Sequence, residues 1–117
     1  MNVGVFVQIG KEIKDSTRKT IKQEFEKFNL NINYDKPNGN NKVGFLLHQQ
    51  VDDVNVFVKN VYNVLQHVSS VYLVAPQKYL GKLIHHPRIH CIDSHVIDEP
   101  DTCASMLVNM AYHGRQP

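Results

Sequence analysis

Four histidines, His85, His86, His90 and His95, fall within eleven consecutive positions, and neutral imidazole is a common ligand of zinc and copper. On paper they could build a zinc-dependent module. Two features weigh against it: His85 and His86 adjoin Pro87 in a stretch that reads as loop, and His90 and His95 belong to different parts of a strand and its exit. The sequence therefore favours no metal and no cofactor.

Cysteine offers a second chemistry. Cys91 with His95, or Cys103 with His113, could act as nucleophile and base, but a catalytic thiol needs an exposed, electropositive setting that lowers its pKa. The two cysteines fall in a predicted strand and a predicted helix with no CxxC spacing, which is the pattern of reduced core thiols.

Phosphate and nucleic-acid chemistry fare no better. Gly10 stands without the further glycines of GxGxxG, and no GxxxxGK[ST] occurs, which argues against a mononucleotide or dinucleotide loop. Tyr72 and Tyr79 near Lys78 and Lys82 could stack and pair with a single strand, but the same mixture is an ordinary amphipathic surface. Thirteen Lys and Arg against eleven Asp and Glu leave a near-neutral balance, with basic residues gathered only at Lys11, Lys14, Arg18, Lys19 and Lys22. No direct nucleic-acid binding is expected.

The elements that would carry these residues are legible as runs and stripes. Val3 to Ile9 reads as a buried strand. Asp15 or Ser16 can cap a helix with Ile21, Phe25 and Phe28 on one face, ending near Asn29. Leu30, Ile32 and Tyr34 alternate with Asn31 and Asn33, the period of a half-exposed edge strand, and residues 35–42 are a polar loop before a third strand, Val43 to Leu47. Val54, Val58, Val61, Leu65 and Val68 form the stripe of a second helix opened by Asp52 and Asp53. Val71 to Ala75 is a fourth strand, Gln77 to Ile84 a short helix or turn, Ile89 to Ile92 a fifth strand and Thr102 to His113 a last helix.

This order predicts one α/β domain over residues 1–117, three-layered, with a mostly parallel five-stranded sheet and helices on both faces. Parallel neighbours normally need a crossover of about a dozen residues. Only the polar loop separates strands two and three, so the second crossover helix is shortened or missing. The N-terminal residues lack the pattern of a secretory signal and no segment has the ~18 apolar residues of a membrane helix, which makes a cytoplasmic protein without membrane contact the expectation.

In open parallel sheets ligands gather beyond the carboxyl ends of the strands. Those ends are Gly10-Lys11, Asp35, His48-Gln49, Ala75-Pro76 and Asp93-Ser94-His95. The layout resembles, over the whole chain, the flavodoxin-like receiver domains of two-component signalling, in particular the atypical receivers that precede bacterial transcriptional activators. An active receiver carries an acidic pair after strand one, a phosphorylated Asp after strand three, Ser or Thr after strand four and Lys-Pro after strand five. Every one of these positions departs from the pattern here. The resemblance then implies a degenerate receiver pocket at Gly10, Lys11, His48, Gln49, Ala75, Ser94 and His95 that takes neither magnesium nor phosphoryl group.

It also implies a non-catalytic regulatory module in transcription control, acting as a homodimer or against an effector domain through Tyr72, Lys78, Tyr79, Lys82 and His90. The rival reading is a small α/β enzyme or ligand-binding protein with His48, Asp93, Ser94 and His95 around one pocket. A deep apolar cleft holding a perturbed histidine favours that rival.

Overall fold

Alternation of side chains along three strands divides the interior in two. In the computed structural model, which describes residues 3–81 and 83–113, β1 (Val3–Ile9), β3 (Val43–Leu47) and β4 (Ser70–Ala75) lie at the centre of an all-parallel sheet. The strand β2 (Leu30–Asn33) forms one edge and β5 (Ile89–Asp93) the other, in the order β2-β1-β3-β4-β5 of flavodoxin-like folds.

Val5, Val7, Phe45, Leu47, Tyr72 and Val74 cluster with Ile21 and Phe25 of α1 (Asp15–Glu26) and Leu107 of α3 (Pro100–His113). The intervening residues Phe6, Leu46, Leu73 and Ala75 cluster with Val61 and Val64 of α2 (Val54–Leu65) and with Leu80 and Leu83. Since successive strand residues point to opposite faces, α1 and α3 cover one face and α2 the other. Burial of each such side chain contributes about 1.5–3 kcal/mol.

The second crossover has no helix. Its reason lies in the register: β2 stops opposite Phe6, while β3 begins opposite Val5, so the chain need only cross β1 near its start. It crosses at Gly4, whose carbonyl accepts the Lys42 N–H at 2.8 Å. A Cβ on Gly4 would stand 2.2 Å from the Asn40 carbonyl oxygen, so the crossing requires glycine there.

Two local expectations need correction. Helix α1 starts at Asp15 itself, with Lys14 in the cap position and no side-chain cap, so Asp15 acts through its charge in the first turn rather than as a cap. Tyr34 lies beyond β2, where the chain already turns away. The stretch from Gln77 to Ile84, expected as a short helix or turn, opens with a 3-10 turn, Gln77–Tyr79, and sends Leu80 and Leu83 into the core. A further 3-10 turn, Ser94–Asp98, joins β5 to α3, which begins at Pro100. Asp53 does cap α2, accepting the N–H groups of Asn55 at 2.9 Å and Val56 at 3.2 Å.

Candidate functional site

The turn leaving β1 is held from within. Gly10 donates its N–H to the Leu47 carbonyl at 2.8 Å, tying β1 to the end of β3. The Arg18 guanidinium donates to the carbonyls of Ile9 at 3.1 Å and Gly10 at 2.8 Å, closing the turn from the helix side. Glu12 reaches from this turn to the next: its carboxylate oxygen Oε2 accepts the N–H of Gln49 at 2.8 Å and of Gln50 at 3.3 Å. A Cβ on Gly10 would stand 2.4 Å from Glu12 Oε1, so a side chain there would push the carboxylate out of this pose.

His48 is the first residue past β3, and its N–H, bonded to the Val74 carbonyl at 2.8 Å, keeps it in line with the sheet. Its ring meets Phe57 of α2 edge to face at 5.5 Å. Nδ1 lies 3.8 Å from Glu12 Oε2, while Nε2 is buried with no hydrogen-bond partner. Burial pushes the His48 pKa below the usual histidine value, and the Glu12 charge only partly opposes it, so the ring is neutral near pH 7. An orphaned polar group of this kind costs about 1–3 kcal/mol.

Between these two turns and α2 opens a cleft of about 520 Å³. It lies between β1 and β3, on either side of which the chain proceeds in opposite directions across the sheet. This is the switch point at which open α/β sheets bind ligands. Ile9, Val51 and Phe57 give it an apolar wall, and Asn60 donates to Gln8 Oε1 at 2.7 Å across its floor. Glu12, Asp52 and Asp53 line it against the single lysine Lys11, so with His48 neutral the cleft is negative. Among the described residues, no hydroxyl or thiol lines it.

Comparison of the chain with protein families, curated proteins and solved structures gives no match.

The structure gathers some of the sequence-derived residues and separates others. Gly10, Lys11 and His48 share the cleft, and Gln49 joins through its N–H. Ala75 is fully buried on the α2 side of the sheet. Ser94 and His95 lie past β5, where Asp93 accepts from the Gln77 N–H at 3.1 Å and pairs with His95 Nδ1. That hydrogen bond from His95 draws the Asp93 carboxyl below its usual range. A single pocket of His48 with Asp93, Ser94 and His95 does not form: β4 separates β3 from β5, and only His48 lines the cleft.

Tyr72 needs correction as a surface residue. It shares the parity of Val74 on a central strand, is 2% exposed, stacks on His90 at 4.6 Å and donates its hydroxyl to the Met110 carbonyl at 3.2 Å. His90 is half-buried beneath it, whereas Lys78 is exposed with its ammonium over the half-exposed Tyr79 ring. Lys82, the His113 side chain and the residues after it lie outside the described residues.

The clustered histidines do not converge. His86 packs on Tyr62, His90 on Tyr72 and His95 on Asp93, and among the described residues no three His, Cys, Asp or Glu are placed to hold a metal ion. Cys91 and Cys103 are free, and burial raises both thiol pKa values, that of Cys103 to about 11. Sequence reasoning missed Glu12, Phe57 and Asn60 as parts of the site. The strand order would have found them, since it alone puts the turns after β1 and β3 side by side.

Proposed function

We propose that this chain is a small-molecule-binding module whose ligand, neutral or cationic with an apolar part, lodges in the cleft between β1 and β3. The observation that carries the reading is the coincidence of that switch-point cleft with a buried, neutral His48. Its volume falls in the range of about 300–1,000 Å³ usual for ligand sites. Three carboxylates against one lysine disfavour a phosphate, and Ile9, Val51 and Phe57 accept an apolar group. The module binds rather than catalyses: among the described residues no hydroxyl or thiol lines the cleft, and His48 Nε2, which a general base would present, is turned inward. A cytoplasmic setting is part of this proposal; no helix of the described residues is long and apolar enough to cross a membrane.

The test is a titration of isotope-labelled protein with phenethylamine, 2-phenylethanol and phenyl phosphate, followed at the Gly10, Gln49 and Gln50 amides. The amine and the alcohol should shift these signals and the phosphate should not. Preference for the phosphate, or silence of all three amides, would overturn the reading.

A second reading, a regulatory module in transcription control that works by contact with itself or an effector domain, is supported by the surface of the β4–β5 connection. Lys78 is exposed there and Ile84 is 54% exposed.

A further inference from the structure

All acidic residues of the chain lie outside 54–92, a stretch that carries Lys59, Lys78, Lys82, Arg88 and the histidines His67, His85, His86 and His90. The fold brings two parts of it together. Helix α2 and the β4–β5 connection pack side by side on one face of the sheet. Three ties mark their common seam: Val54 and Tyr79 wall one groove with Lys78 and Gly81, the Tyr62 ring meets His86 at 5.9 Å, and the Arg88 guanidinium reaches the Val68 carbonyl at 3.5 Å. These ties run the length of the 12-residue helix, about 18 Å at ~1.5 Å per residue.

The seam stays open because the connection makes a 3-10 turn where a crossover helix would otherwise lie. Its groove near Val54 and Tyr79 holds about 410 Å³. Tyr62 is 40% exposed on α2, Lys59 stands one turn before it, and Ile84, 54% exposed, lines an adjoining groove with Gly81 and Asp93. Among the described residues, Lys59, Lys78 and Arg88 form no ion pair. An apolar groove bordered by unpaired cations, with Asp53 and Asp93 adjoining it only from the two ends of the stretch, is complementary to a partner that carries the opposite charge and apolar side chains.

Two such partners differ in what they need. A nucleic-acid strand stacks its bases on free ring faces, but the Lys78 ammonium covers the Tyr79 ring at 5.0 Å and Tyr62 is packed against His86. The exposed Ile84 of the connection is aliphatic and offers contact to a side chain and no stacking plane. We propose that the seam between α2 and residues 77–81 and 83–88 docks an acidic protein segment bearing apolar side chains. The inference rests on the second reading above and gives it a partner.

The experiment follows the Tyr62, Ile84 and His86 amides of the full chain by NMR while four probes are added. They are a short synthetic peptide alternating Asp with Leu and Phe, the same peptide with Ser for Leu and Phe, its Lys-for-Asp counterpart, and an oligo-dT strand. The acidic apolar peptide should shift the three amides, weaken as salt rises, and outbind the serine peptide by about ten-fold; the lysine peptide should not bind. Lys59→Glu with Lys78→Glu, and separately Ile84→Ser, should each weaken it about ten-fold. Should either variant misfold, the salt series and the serine peptide decide on the unaltered chain. Equal binding of the serine peptide, or displacement of the acidic peptide by oligo-dT, would overturn the acidic-segment proposal while leaving a docking face. Silence of the seam amides to every probe would overturn both.

Discussion

Glu12 Oε2 lies 3.8 Å from His48 Nδ1, and the same oxygen accepts the N–H of Gln49, the residue next to that histidine. One carboxylate thus fixes the backbone of the second turn and sets part of the field on its ring. Because the Glu12 charge raises the His48 pKa against the larger effect of burial, Glu12→Gln should lower that pKa further. A proton NMR titration of the His48 ring checks this, and an upward movement would show that the carboxylate does not act on the ring. Hydrogen exchange at the Gln49 and Gln50 amides should quicken in the same variant.

The lowered His48 pKa has a consequence for stability whose sign is fixed by linkage. In the unfolded chain the ring takes a proton near pH 6.5, whereas in the folded protein it does so only at lower pH. Between those two values the unfolded state binds more protons, so the His48 contribution to stability declines as pH falls through that window and is level above it. Urea denaturation over pH 4 to 8 should show this decline, and His48→Leu should flatten it. An unchanged profile in the variant would assign the slope to other groups.

Gly4→Ala places a methyl 2.2 Å from the Asn40 carbonyl, a backbone atom that cannot yield without moving the crossing. The expected cost is about 1–3 kcal/mol. Gly39, in the same loop, has nothing within 4 Å of its Cβ position, so Gly39→Ala should change stability by no more than about 0.5 kcal/mol. Chemical denaturation of the two variants side by side tests the crossing; equal effects would mean that the loop does not bear on Gly4.

Cys103 is 1% exposed, and burial raises its thiol pKa to about 11. Little of it is thiolate at pH 8, and the folded protein shields it. Iodoacetamide should leave Cys103 unmodified in native protein at that pH and label it in urea, as read by mass spectrometry of the peptides. Native labelling at the rate of a free thiol would place Cys103 outside the core.

Local signals account for what was legible from the residues alone. The β-branched runs Val3–Ile9 and Val43–Leu47 and the apolar stripe of α2 marked their own elements, because strand and helix periods are written in consecutive side chains. Asp53 marked the α2 start for the same reason, since a cap bonds to residues two and three positions away. The edge position of β2 followed from its alternation, and the missing second helix from a loop too short and polar to hold one.

The sequence by itself determined an α/β order of elements and the turns at which polar groups collect, because those depend on neighbours along the chain. Only the tertiary structure decided which turns meet. Glu12 and Gln49 are 37 positions apart and touch because β1 and β3 pair in a register that brings their ends level. Tyr72 looked like surface until its strand became central and its parity turned it inward, stacked on His90. Strand order and register are set by how all the elements share one core, and no short stretch of residues carries that information.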